Sequence, residues 1–276
     1  MSGSTHRRGG ENRKMRFREK YGSWAVVTGA SDGIGKALAT EAAAKGLNVL
    51  LVARRLPELE ALAGTLSSRH EVDAHILALD LSDRTAADAV TDACERLDVG
   101  LLAACAGFGS SGAFTQTDLS AELEMVQVNC KAVLALAHPF ARRFAAQRRG
   151  GIILMSSLVA FQGVPNSANY AATKAYVQTL AEGMHRELKP FGVDVVASAP
   201  GPVATGFAER AKMNMGLAST PDRIARGTIE ALGRAITVRP GLIAKGLEAS
   251  LSVLPRPLRT RIMGQVMAGM ARPDCS

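Results

Sequence analysis

Short apolar runs alternate with longer segments of helical period along most of this chain, and this alternation limits the fold more than any other feature. Residues 24–29 (WAVVTG), 48–53 (NVLLVA), 74–81, 100–106, 151–155 and 193–199 are rich in Val, Ile, Leu and Ala and read as strands. Residues 34–45, 56–66, 85–97, 119–144 and 170–188 read as the helices between them. Strands separated by helices of this length form βαβ units on a parallel sheet. The runs are apolar almost throughout, as in a sheet covered on both faces. The expected architecture is a single α/β domain, a doubly wound parallel sheet with helices on both faces.

Composition fits that frame. Hydrophobic residues make up 47% of the 276 and aromatics only 4%, so a large core must be built from Ala, Val, Leu and Ile. No apolar run reaches the length of a membrane span, and the opening MSGSTHRRGG lacks the apolar stretch of a secretion signal. Cys94, Cys105, Cys130 and Cys275 show no metal-ligand spacing and read as reduced thiols, hence an expected cytoplasmic location and no metal. The net charge of +8 sits in two tails, +5 in residues 1–20 and +4 in residues 239–276, leaving −1 for the body. Nucleic-acid binding is therefore not expected. Residues 1–20 are expected to be a disordered basic tail, residues 21–245 the domain, and residues 246–276 an amphipathic extension. Contact of the tails with an anionic membrane surface or an acyl carrier's phosphate stays open.

Residues 28–35 read TGASDGIG, directly after the first strand and at the mouth of the first helix. Gly29, Gly33 and Gly35 let the backbone turn sharply beside a pyrophosphate, and Ser31 and Ile34 present the free N–H groups of the helix start. This places the chain among Rossmann-type dinucleotide folds. The second strand ends in Arg54-Arg55, where an acidic residue would hold an NAD ribose; a guanidinium suits a 2′-phosphate instead, so NADP(H) is expected. Asp80, followed by Leu81 at the end of the third strand, can bond the adenine amino group or cap the next helix.

Tyr170 and Lys174 lie four residues apart on a helix, hence on one face. An ammonium beside a phenol stabilises the phenolate and lowers its pKa toward the working range. YxxxK is common by chance, but Ser157 lies thirteen residues earlier, just past a strand end, and Asn129 lies in the helix before that strand.

Together with the TGxxxGxG turn, this order resembles the short-chain dehydrogenase/reductase family over residues 22 to about 207. The resemblance implies that Tyr170 exchanges the proton with a substrate oxygen, that Lys174 lowers its pKa and bonds the nicotinamide ribose, that Ser157 polarises the oxygen, and that Asn129 orders a water. It also implies that Pro200-Gly201 and Thr205 hold the nicotinamide end, and that Ala106 and Gly107 lie against the nucleotide. The family's usual NNAG is replaced by Ala104-Cys105-Ala106-Gly107, so the hydrogen bonds of two asparagines must be replaced or lost. Cys105 reads as a buried small hydrophobe or a redox-sensitive thiol. KYGSWAVVTGASDGIGKALATEAAAKGLNVLLVARR and LDVGLL resemble the branch of very-long-chain 3-oxoacyl-CoA reductases and hydroxysteroid dehydrogenases.

The resemblance implies a reductase of an apolar ketone or 3-oxoacyl substrate, with a dehydrogenase working in oxidation as the alternative. A catalytically silent NADP(H) sensor is a third reading, opposed by the intact Asn129, Ser157, Tyr170 and Lys174. A homo-oligomer is expected on the same ground. Residues 202–220 stand where the family has its substrate lid, with Phe207, Met213, Met215 and Leu217 as apolar lining; a plain core-packed helix is the competing reading. In the C-terminal extension Leu258, Ile262, Val266 and Met270 fall on one face, with Met263 and Met267 beside it and Arg259 and Arg261 off it. Subunit contact, a cover over the substrate pocket and shallow membrane attachment are the three readings of that stripe.

Overall fold

Neighbouring residues of a strand point to opposite faces, and here both directions are apolar. Val26, Leu50, Leu102, Ile152 and Val195 enter one core, while Val27, Leu51, Ala103, Ile153 and Val196 enter the other. The computed structural model describes residues 15–206, 218–241 and 254–270. Its strands are β1 (Trp24–Thr28), β2 (Asn48–Ala53), β3 (Ala74–Ala78), β4 (Val99–Ala104), β5 (Gly150–Met155), β6 (Val193–Ser198) and β7 (Thr237–Val238). They form one parallel sheet in the order β3-β2-β1-β4-β5-β6-β7. The chain winds outward from β1 and then reverses at β4, and the crevice at that reversal is where such sheets bind ligands.

A short helix α1 (residues 15–21) precedes the sheet. Helices α2 (Gly33–Ala44), α3 (Leu56–His70) and, late in the chain, α8 (Pro221–Ala231) cover one face through Leu38, Leu59 and Ile229. Helices α4 (Ala86–Ala93), α6 (Val133–Gln147) and α7 (Ala168–Leu188) cover the other through Val90, Phe140 and Val177. A third, smaller cluster lies apart from both and joins Phe108, Met125 and Tyr170 to Met263 of the terminal helix α9 (Arg256–Met270).

Several boundaries differ from the sequence reading. The expected 119–144 helix is α5 (Leu119–Val126), a π-helical turn (Gln127–Ala132) and α6. Asp118 caps α5 by accepting from the Ser120 and Ala121 N–H groups at 3.3 and 3.1 Å. The third strand stops at Ala78, and the chain then turns so that Asp80 accepts the Ser82 N–H at 2.9 Å.

The expected basic tail is corrected over its last residues. Residues 15–21 are helical, because Phe17 and Tyr21, four apart, share one face and stack with centroids 4.6 Å apart. Tyr21 is buried and donates its hydroxyl to Asp194 at 2.7 Å, and Lys20 pairs with the same carboxylate at 2.5 Å. The earlier part of the tail and Phe207, Met213, Met215 and Leu217 of the expected lid lie outside the described residues.

Candidate active site

β1 delivers the chain into a turn that only glycine permits. Gly29 has φ +68°, and a Cβ on Gly35 would stand 2.2 Å from the Gly29 carbonyl oxygen, so α2 begins directly against the turn. After the N-cap Asp32, no acidic side chain occupies the first turn of α2, and its N–H groups and dipole face the crevice. Thr205 sits over Gly33, whose Cβ would meet the threonine methyl at 2.8 Å. Asp32, at the helix start, accepts the Gly206 N–H at 3.1 Å and so ties the glycine turn to the segment after Pro200.

At the end of β2 the two arginines take different partners. Arg54 pairs with Asp80 at 3.3 Å, and together with the Ser82 N–H it holds that carboxyl below its ordinary range despite the opposing effect of burial. Arg55 donates to the Ser31 hydroxyl through Nε and Nη2 at 3.3 and 3.2 Å, and it also meets Glu58 at 3.2 Å. Across β1, Thr28 accepts the N–H groups of Cys105 and Ala106 at 3.0 and 3.1 Å. This threonine satisfies the two backbone N–H groups that follow β4. Cys105 is partly buried and its thiol is pushed up to about 12 by desolvation, so it behaves as a small apolar side chain at neutral pH.

One cavity of about 680 Å³ opens along this edge, and all the sequence-derived site residues line it except Asn129 and Lys174. Those two stand behind its wall. Asn129 lies in the π turn, fully buried, accepts the Phe108 N–H at 3.1 Å and donates to the Phe108 carbonyl and the Thr173 hydroxyl at 2.8 and 3.1 Å. A Cβ on Gly107 would lie 2.9 Å from Asn129 Oδ1 and 3.4 Å from Lys174 Nζ, so Gly107 admits both side chains beneath the loop.

Ser157 lies two residues past β5, its backbone extended, and its hydroxyl accepts the Val159 N–H at 3.4 Å. It also hydrogen-bonds Tyr170, which favours the phenolate, but burial is the larger effect and pushes the phenol up to about 12. Lys174 is buried, donates to the Met155 carbonyl at 2.9 Å, and has its ammonium 5.8 Å from the Tyr170 ring centroid. Desolvation pulls its pKa down to about 8. In this arrangement burial is the dominant influence on the phenol, and the Lys174 ammonium, bonded to the Met155 carbonyl, lies beside its ring.

A buried phenol on a helix, paired with a serine at a strand end and facing a glycine-rich nucleotide crevice, can pass a proton to an oxygen beside a nicotinamide. The sequence profile of the short chain dehydrogenase family matches residues 23–215. This chain belongs to that family. It is accordingly an oxidoreductase, and the family works with a nicotinamide cofactor. A 7beta-hydroxysteroid dehydrogenase of Clostridium sardiniense is 34% identical over 82% of this chain and 88% of its own. A very-long-chain 3-oxoacyl-CoA reductase-like protein of Arabidopsis thaliana is 35% identical over 68% of this chain and 62% of its own. Among solved structures, one of a 7beta-hydroxysteroid dehydrogenase superposes with a TM-score of 0.83, at 31% identity, over 90% of this chain and 98% of that one. A short-chain dehydrogenase from Sphingobium yanoikuyae in complex with NADPH gives 0.76, at 28% identity, over 84% and 96%.

Family motifs do not announce every group at this site. Glu122, buried on α5, accepts from Ser110 at 2.7 Å and from Asn169 at 2.6 Å, next to Tyr170. Ser167 precedes α7 but spends its hydroxyl on the Ser110 carbonyl at 2.7 Å instead of capping the helix. These bonds tie the 108–112 loop to the helix that carries the tyrosine. Glu122 had no sequence signal beyond an Asp118-x-x-x-Glu122 spacing. The cavity's far end is apolar, formed by Phe108, Val128, Val159, Met263 and Val266 with Glu124 at its side.

Proposed function

We propose that this chain reduces a bulky apolar ketone, or a 3-oxoacyl group, with NADPH. The observation that carries the reading is Tyr170: a buried phenol hydrogen-bonded to Ser157 at the junction of a nucleotide crevice and an apolar cavity. A protonated phenol so placed can give its proton to a substrate oxygen.

When bound, the cofactor supplies the hydride. Its pyrophosphate has a cradle in Gly29, Gly35 and the start of α2, a turn too tight against neighbouring backbone for any added Cβ. Arg55 and Ser31, and Arg54 with Asp80, stand where the 2′-phosphate and adenine belong, and the NADPH bound by the Sphingobium yanoikuyae relative supports that choice. Ser157 and Tyr170 hold the substrate oxygen by hydrogen bonds. Tyr170 releases its proton to that oxygen as the carbon gains the hydride, so the carbonyl becomes an alcohol. Lys174 supports the phenolate left behind, and Asn129 holds the Phe108 loop and Thr173 in register. Pro200 positions Ser157 through its carbonyl, which accepts the Leu158 N–H at 3.0 Å.

The name of the Clostridium relative favours a second reading, oxidation of a hydroxysteroid by the same residues in reverse. The family resemblance also suggests a homo-oligomer, for which half-exposed Leu134 and Tyr176 on α6 and α7 offer apolar surface. The deciding experiment follows NADPH and NADH oxidation across ketones, 3-oxoacyl thioesters and ketosteroids, and NADP reduction by the matching alcohols. Turnover of bulky ketones with NADPH is expected; NADPH binding without turnover of any of these substrates would instead indicate a sensor.

A further inference from the structure

We propose that α9 (Arg256–Met270) is the substrate-selecting wall of this site, with Met263 and Val266 setting how bulky a ketone can bring its carbonyl to Tyr170. This rests on the reductase reading above and adds residues that the family motifs do not contain.

Three observations carry it. Met263 is only 3% exposed and belongs to the same apolar cluster as Tyr170, Phe108, Val128 and Val159. Val266, three residues on and so on the same face, lines the cavity with it. The helix is also held at close range. A Cβ on Gly264 would lie 2.9 Å from Pro165 Cγ, and one on Gly163 would lie 3.7 Å from Thr260. Gly163 and Pro165 belong to the segment that joins Ser157 to the start of α7. The wall is thus braced on the stretch of chain that spaces the serine from the tyrosine.

The chemistry of this face defines what can lie against it. Arg259 donates its Nε to the Leu254 carbonyl at 2.7 Å, and Arg261 is exposed, so neither guanidinium is among the groups lining the cavity. The part of the substrate that meets α9 is therefore uncharged hydrocarbon. Methionine is unbranched and polarisable and can refold around hydrocarbon bodies of different outline. Its side-chain volume then acts as the gauge of the cavity.

The test uses the full chain with NADPH and three ketones of rising bulk: cyclohexanone, 2-decalone and a four-ring ketosteroid. Met263→Trp is expected to lower kcat/KM for the ketosteroid by about 10-fold or more, on the scale of pocket-size discrimination, while cyclohexanone changes by less than about threefold. Met263→Ala should shift the ratio the other way, and Val266→Trp should repeat the first pattern. NADPH affinity and melting temperature report whether each variant is folded; Gly264→Val, which drives the backbone off Pro165, should depress all three ketones while NADPH still binds. Folded Met263 or Val266 variants that change all three ketones by one common factor, or leave their ratios unchanged, overturn the proposal. If the wild-type chain reduces none of the three, the reductase reading fails separately. The wall is then judged by calorimetric binding of ketosteroid and cyclohexanone to the NADPH-loaded protein. The same ratio changes support it; unchanged ratios or no binding overturn it.

Discussion

Arg55 and Ser31 hold each other across the mouth of the glycine turn, the guanidinium donating through Nε and Nη2 to one hydroxyl oxygen at 3.3 and 3.2 Å. That bond fixes a positive fork beside the first turn of α2, at the end of β2, where a 2′-phosphate would accept it. Arg55→Ala should raise the KM for NADPH by about 10- to 100-fold, the value of one or two charge-assisted hydrogen bonds. The KM for NADH should change by less than about threefold. Steady-state kinetics with both cofactors checks this, and equal losses for the two would remove the assignment.

Tyr170→Phe keeps the ring packed in its cluster and deletes the proton. The expected loss in kcat is about 100-fold or more, with NADPH affinity nearly unchanged. Stopped-flow turnover beside fluorescence titration of NADPH separates the two effects. A variant with full activity would show that another group supplies the proton.

Lys174 makes stability depend on pH in a direction set by its burial. Its folded value of about 8 lies below the ordinary lysine value of 10.5, so between them the unfolded chain binds more protons than the folded one. Stability from this group therefore rises with pH across that window, and the burial penalty is fully present below about 8. Removing the charge with Lys174→Met should stabilise the protein at pH 7 by up to about 3 kcal/mol relative to wild type, with the advantage vanishing near pH 10.5. Melting curves of the two proteins at pH 7, 8, 9 and 10 would test it. A constant difference would mean that Lys174 is not held near 8.

Thr28 anchors the chain where it leaves β4. Thr28→Val leaves the N–H groups of Cys105 and Ala106 without their acceptor and should cost about 2–4 kcal/mol, read from urea denaturation. Activity per folded molecule should fall far less than stability.

Gly35→Ala puts a methyl 2.2 Å from a backbone oxygen that has no side chain to move aside. Overpacking of this kind costs about 1–3 kcal/mol or more, and NADPH binding should be lost before the fold is. Gly64→Ala, where an added Cβ meets nothing within 4 Å, is the matched control and should be neutral or stabilising.

The helical and strand periods carried the architecture because both sheet faces are covered, which makes each strand a short unbroken apolar run. β2 begins and ends at the residues its sequence indicates, since Arg54 breaks that run abruptly. β4 is legible only to within two residues, because its end is decided by Thr28 capturing the next two N–H groups, a partner 77 and 78 positions away. Charge density hid α1, whose Phe17–Tyr21 pair is the signal to look for in a basic segment. In α9 the expected Leu258–Ile262–Val266 stripe is rotated. Residues four apart drift around a helix of 3.6 residues per turn, leaving Leu258 42% exposed while Met263 turns inward. Glu122 was not legible at all, because its partners Ser110 and Asn169 are brought to it only by the fold.

Met263 lies beside Tyr170 although 93 positions separate them in the chain. During synthesis the nucleotide crevice, whose lining from Gly29 to Gly206 precedes α9, can emerge from the ribosome and close before the last wall exists. The residues that would hold the coenzyme are thus synthesised before those that would choose what to reduce, and a chain ended after β7 but before α9 would keep the whole sheet and lose only that wall.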